Sequence, residues 1–212
     1  MKNKKIIITI VAVLLVVGII VGATLLIKNK NKSDGETKLK NTYDKLTSSQ
    51  TYLFEMKQDD ENKTVMAKRN DETVIDQYSK EGGHSTTLVK DGNTYLILHD
   101  RKEYYVYERN NIEQSILTDG IHDLLTKKFT EGTEKIDGKN YRYEEYNTST
   151  IFMITNSLKL DENVKTRFYF DKNKNLTYIK TIYENSEETL KINISNSVDD
   201  SLFTIPSTYA EN

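Results

Sequence analysis

The 212-residue chain has no cysteine. That excludes a disulfide framework and also the thioether anchor that holds lipoproteins to a membrane, while leaving export open, because exported domains do not all use disulfides. A basic surplus is missing too: six of the 30 Lys and Arg residues lie in the first 32 positions, so residues 33–212 carry 24 basic against 32 acidic side chains, a net charge of −8. Nucleic acid demands a patch that neutralises phosphate, and mixed-sign acidic surface does not supply one. Catalytic signatures are absent as well. There is no His-Glu-x-x-His, no Gly-x-Ser-x-Gly and no glycine-rich phosphate loop, and Gly82-Gly83 lies between strand patterns with no helix after it. The expectation is therefore a non-enzymatic chain with no cofactor.

What the sequence does have is one long apolar run. Residues 6–27 are 22 in a row without a charge, 16 of them Ile, Val or Leu, between Lys2, Lys4 and Lys5 on one side and Lys28, Lys30 and Lys32 on the other. At ~1.5 Å per residue the run spans about 33 Å as a helix, enough for a hydrocarbon core of about 30 Å. Its aliphatic content favours insertion by roughly 5–9 kcal/mol. Two readings stand: an uncleaved single-pass anchor, or a signal segment cut near Val21-Gly22-Ala23 and a secreted domain. The run exceeds a usual signal core, which supports the anchor. The flanking lysines nearly balance, but a first apolar segment followed by a long domain leads that domain across. The expected arrangement is residues 1–28 as anchor with the N-terminus cytoplasmic, 29–35 as polar tether, and 36–212 as an extracytoplasmic domain at the cell membrane.

Within that domain, Ser33 and Glu36 have capping-box spacing and Leu39, Tyr43 and Leu46 follow at helical intervals, which predicts an amphipathic helix. From Tyr52 the period becomes two. Tyr52, Phe54 and Met56, then Val74, Asp76 and Tyr78, then Leu190, Ile192 and Ile194 each share a parity. Asp91-Gly92 and Asp137-Gly138 supply the positive φ values of two-residue hairpins, and a looser turn covers Asp171 to Asn175. The predicted strands are Tyr52–Gln58, Lys63–Arg69, Thr73–Ser79, His84–Lys90, Asn93–His99, Glu103–Glu108, Lys128–Ile136, Lys139–Tyr146, Ile151–Thr155, Lys165–Phe170, Asn175–Tyr183 and Thr189–Ser195, an antiparallel meander.

A second helical pattern interrupts it. Asn111 and Gln114 have cap spacing, and Ile112, Ile116, Leu117, Ile121, Leu124 and Leu125 recur at helical intervals, so this segment lies over the sheet as a candidate lid. Tyr95-Leu96-Ile97-Leu98, Tyr104-Tyr105-Val106-Tyr107 and Ile151-Phe152-Met153-Ile154 are apolar on both parities, which requires cover on both sheet faces. Helices over one face satisfy this, and so does a two-sheet sandwich with an ordinary core.

The layout resembles the LolA-like family of outer-membrane lipoprotein carriers, in particular its membrane-anchored Gram-positive-type members. The likeness rests on Ile136-Asp137-Gly138-Lys139-Asn140-Tyr141 with Glu144-Glu145-Tyr146, on Phe168-Tyr169-Phe170-Asp171 through Leu176-Thr177-Tyr178-Ile179-Lys180, and on Leu202-Phe203-Thr204-Ile205-Pro206, and covers about residues 36–209. The resemblance implies a mainly β fold, an antiparallel incomplete (half) barrel with an N-terminal amphipathic helix and an inserted lid, whose apolar hollow receives acyl chains. The chain departs from soluble carriers in having an anchor, so shuttling between membranes is not implied.

Candidate residues for such a hollow are Phe168, Phe170, Leu176 and Tyr178, which share a face if the Asp171–Asn175 loop holds five residues, with Leu88, Tyr95 and Ile97 on neighbouring strands and Ile116, Leu117, Ile121 and Leu124 on the lid. Any of them could equally fill a solid core. A two-residue turn at Asp91-Gly92 pairs residues summing to 183, which sets His84 opposite His99. No third ligand can be placed from sequence, so no metal site is assigned. Asp171 to Asn175 mimics the start of a calcium loop, but Leu176 stands where glycine is needed and Ile182 where the bidentate Glu belongs. His122, beside Asp123, reads as a solvated helix residue. The expected function is a membrane-tethered, lipid- or lipoprotein-binding domain; the alternative is an envelope sensor or protein-interaction module with the same fold and no lipid.

Overall fold

The computed structural model describes residues 37–108, 125, 127–147, 164–183 and 186–212. The apolar run, the tether, the expected strand Ile151–Thr155 and the lid residues Ile116, Leu117, Ile121 and Leu124 lie outside them. No helix among the described residues is long and apolar enough to cross a membrane.

Among the described residues, helix α1 (Lys38–Ser48) precedes β1 (Thr51–Lys57), β2 (Lys63–Arg69), β3 (Glu72–Ser79), β4 (Gly83–Lys90), β5 (Asn93–Leu98), β6 (Glu103–Glu108), β7 (Thr130–Ile136), β8 (Lys139–Asn147), β9 (Lys165–Phe170), β10 (Leu176–Tyr183), β11 (Ser186–Ser195), a 3-10 turn Asp200–Phe203 and β12 (Ala210–Glu211). The hydrogen-bonded order is β12-β6-β5-β4-β3-β2-β1-β11-β10-β9-β8-β7, an open sheet that is antiparallel in its described pairings except for the short parallel pair β12–β6. β1 pairs with β11, from Leu53↔Ser195 to Lys57↔Lys191.

The hairpins form as their chemistry demands. Asp91 (φ 52°) with Gly92 (φ 79°), and Asp137 (φ 49°) with Gly138 (φ 79°), have the paired positive φ values of the tight turn. The Asp171–Asn175 loop is likewise a turn: the Asp171 carboxylate accepts from the Asn173 and Asn175 N–H groups, both at 2.8 Å. Thr37 caps α1, its hydroxyl accepting from Lys40 N–H at 2.9 Å, and the expected capping pair Ser33 and Glu36 lies outside the described residues.

The chain divides into two compact units, one from residues within 1–48 and 111–190 and one from 49–110 and 191–212. In the first, α1 buries Leu39, Thr42, Tyr43 and Leu46. Its free N-terminal donors are met by a buried carboxylate: Glu144 accepts from Lys38 N–H at 2.7 Å, from Leu39 N–H at 3.1 Å and from the Tyr146 hydroxyl at 3.1 Å. That geometry sets negative charge on the positive end of the helix dipole. Glu144 pairs with Phe168, so α1 is seated on the face that carries Phe168, Phe170 and Tyr146.

In the second unit, alternation sorts β2 to β6 into two faces. Ala67, Val74 and Leu88 are opposite one another along one face, Ile97 is opposite Thr86 on the same face, and these four apolar side chains are fully buried together with Phe203. Their cover is the chain's own C-terminal segment, a strap in which Val198, Leu202, Ile205 and Tyr209 pack on this cluster before β12 pairs with β6.

Candidate functional site

The sequence candidates fall into three groups. Leu88, Tyr95 and Ile97 are brought together, with Leu88 opposite Tyr95, and the C-terminal strap lies on them. Phe168, Phe170 and Leu176 share a face, Leu176 pairing with Phe170. Tyr178 does not join them. The register slips by one between Leu176 and Tyr178, so Tyr178 pairs with Tyr169 and Ile179 takes the place opposite Phe168. The loop has its five residues, but a bulge of one residue moves every later side chain of β10 to the other face. Tyr178 thus stands with Tyr169 and against Tyr141, and burial followed by the neighbouring Tyr141 and Asp137 pushes its phenol up to about 12.

The opposite face of β3 to β6 in the second unit has another character. Ile75, Leu96 and Tyr105 form one cross-strand row, Val89 and Tyr107 belong to the next, and Leu98 follows. None of these six is fully buried, and Tyr107 is 52 % exposed, whereas Val74, Leu88 and Ile97 across the sheet are at most 2 % exposed. Their sequence signal was the double apolar parity of Tyr95 to Leu98 and Tyr104 to Tyr107.

Polar chemistry concentrates at the end of the strap-covered face. Asp76 (β3) pairs with Thr86 (β4), Tyr78 pairs with His84, and His99 follows β5, its N–H donating to the His84 carbonyl at 3.1 Å. The expected histidine pair is present: the two imidazoles stack with centroids 3.7 Å apart and planes 10° apart, and Tyr78 stacks on the other side of His84 at 3.8 Å. Gly83 makes the approach possible. At φ +79°, it leaves space that a Cβ would take 2.0 Å from the Asp100 carboxylate, which accepts from His84 N–H at 3.1 Å.

A hydrogen-bond chain runs through this cluster. Thr86 donates its single hydroxyl proton to Asp76 Oδ1, which also lies 2.8 Å from His84 Nε2. The Thr86 oxygen is then an acceptor for His99 Nε2–H at 2.7 Å, and the other nitrogen of a neutral His99, Nδ1, accepts from the Tyr209 hydroxyl at 3.0 Å. Burial, and then the adjacent His84, lower the His99 pKa, with Asp76 and Asp100 opposing; the neutral ring of this chain fits that direction. Asp76, 8 % exposed in its side chain, is the member that sequence reasoning missed. Its signal was an acid on the apolar parity of Val74 and Tyr78. Asp76, His84 and His99 offer ligand atoms all within 4.8 Å of one another.

No protein-family model matches the sequence, and no curated protein matches it. Among solved structures, an uncharacterised conserved protein from Thermus thermophilus aligns with a TM-score of 0.47 at 8% identity, over 82% of this chain and 96% of that one. The Mycobacterium tuberculosis lipoprotein LppX aligns with a TM-score of 0.48 at 12% identity, over 76% of this chain and 94% of that one.

Proposed function

We propose that the chain is a membrane-anchored, extracytoplasmic domain that holds an acyl chain of a lipid or lipid-modified polypeptide against the half-exposed apolar face of β3 to β6. The observation that supports this reading is the asymmetry of that part of the sheet. Strands β3 to β5 bury Val74, Leu88 and Ile97 under the strap, yet the reverse face of β3 to β6 carries Ile75, Val89, Leu96, Leu98, Tyr105 and Tyr107 without full cover among the described residues. Apolar surface left partly wet gains free energy from any hydrocarbon laid on it, at ~0.8 kcal/mol per methylene. A sixteen-carbon chain gains on the order of 10 kcal/mol, offset by lost freedom and by competition from the bilayer. Reversible exchange follows, with no covalent step.

The test is native mass spectrometry of the full chain after mild extraction from membranes. Co-purifying lipid is expected, and Leu96→Asp, which sets a charge in the middle of the face, is expected to remove it while the urea midpoint stays within the range of other surface substitutions. An empty wild-type protein that also fails to take up a fluorescent fatty acid would end the proposal.

A further inference from the structure

We propose that Asp76 Oδ1, His84 Nε2 and His99 Nε2 form a binding site for a divalent transition-metal ion of the zinc class, with Tyr209 of the C-terminal strap holding the far side of His99. The inference rests on the second unit's strap-covered face and is independent of the lipid reading, which uses the reverse face.

The donor set selects the ion. Two imidazoles and one carboxylate suit zinc and its neighbours, whereas calcium and magnesium take all-oxygen shells. With metal–ligand bonds of about 2.0–2.2 Å, tetrahedral ligand atoms stand about 3.4 Å apart. His84 Nε2 and Asp76 Oδ1 are now 2.8 Å apart and the whole set lies within 4.8 Å, so the separations need change by no more than about 1.4 Å to reach that spacing. The stacked rings direct their lone pairs side by side rather than at one point. Convergence needs one imidazole to rotate about its side-chain bonds.

In the metal-free chain of hydrogen bonds the His99 ring proton is on Nε2; on binding it moves to Nδ1, and the His99 Nδ1–H then donates to the Tyr209 oxygen that previously donated to it. That partner fixes the ring and its tautomer, the usual duty of a group behind a metal-bound histidine. Thr86 is freed to keep its bond to Asp76, and water completes the shell. The side chains of Asp76 and His84 are 8% and 22% exposed, which leaves an entry for the ion without surrounding it by solvent.

The consequence is mechanical. One ion would tie β3, β4 and the end of β5 to one another and, through Tyr209, to the strap that pairs with β6. Equilibrium dialysis of the full-length protein in detergent against Zn²⁺ is expected to give one ion per chain and a higher melting temperature. Asp76→Asn and His99→Gln are expected to reduce binding to surface background. Tyr209→Phe is expected to weaken it about tenfold, and His122→Gln to leave it unchanged. Cobalt should give the intense visible band of a tetrahedral site. A variant that fails to fold is bypassed by the wild-type chain, where Zn²⁺ should shift the imidazole nitrogen signals of two of its three histidines. No stoichiometric binding, binding that survives His99→Gln, or binding lost on His122→Gln would overturn the assignment.

Discussion

Each unit covers a sheet face with a segment from outside the meander, and the two do so by opposite means. In the first, α1 is fastened at its N-terminus by a carboxylate with no exposed surface, Glu144, whose charge meets two backbone N–H groups, the Tyr146 hydroxyl and, at 3.5 Å, the Lys38 ammonium. In the second, the strap has one short 3-10 turn and only a two-residue strand, and is held mainly by apolar anchors, above all Phe203. The lesson is about regularity. A helix meets most of its own backbone polar groups and needs help only at its ends, so one buried charge suffices. An irregular segment must find cover through its side chains.

The faces away from these covers differ as well. In the first unit, β7 to β10 carry a lattice of charges in which Glu134 accepts from Tyr169 at 2.6 Å, Arg167 at 2.8 Å and Lys180 at 2.6 Å. Glu145 takes Arg167 at 2.7 Å and Lys165 at 3.3 Å. The second unit has the half-wet apolar rows instead.

The contrast can be broken experimentally, and the strap should give the largest effect. Phe203→Ala removes a side chain that is 1% exposed, and a loss of about 3–5 kcal/mol is expected from urea unfolding. Amide exchange should speed up at Ala210 and Asn212, which bond to Lys102 and Tyr104. A cost under ~1 kcal/mol would mean the strap is not held by burial. Glu144→Gln keeps the shape but removes the charge facing the helix N-terminus; about 2 kcal/mol is expected, with loss of helical dichroism. No change in helicity would show that α1 needs no such seat.

Acid should separate the units most gently. Burial raises the Glu134 and Glu145 pKa values, but Lys180, Tyr169 and Arg167 for Glu134, and Arg167 and Lys165 for Glu145, more than reverse it, leaving both below the ordinary glutamate value of 4.5. A carboxylate depressed in the folded state contributes stability that is full above the unfolded value and is lost as pH falls through the folded one. Amide exchange between pH 5 and pH 2 should therefore show β7 to β10 loosening before the apolar strap region. Simultaneous loosening would sink this reading of the charge lattice.

Much of this was legible beforehand because it is local. Period-two alternation placed strands such as Lys63–Arg69 and Glu103–Glu108 at their observed bounds, and the Asp-Gly turns set the register that brings His84 to His99. The seat of Thr37 at the start of α1 was not legible, because only the finished helix shows which donors are free. The face of Tyr178 was misread because nothing in Leu176-Thr177-Tyr178 announces a bulge.

By itself the sequence determined the strand pattern, the turns, the apolar anchor expectation and the acidic, cysteine-free character of the domain, since these depend on neighbours within a few residues. Only the tertiary structure decided that β1 closes on β11, that residues 196–211 return to cover Leu88 and Ile97, and that Asp76 reaches the two histidines. Those outcomes join positions far apart in the chain, where choice depends on which face remains uncovered once the other segments are in place, and no local spacing encodes that.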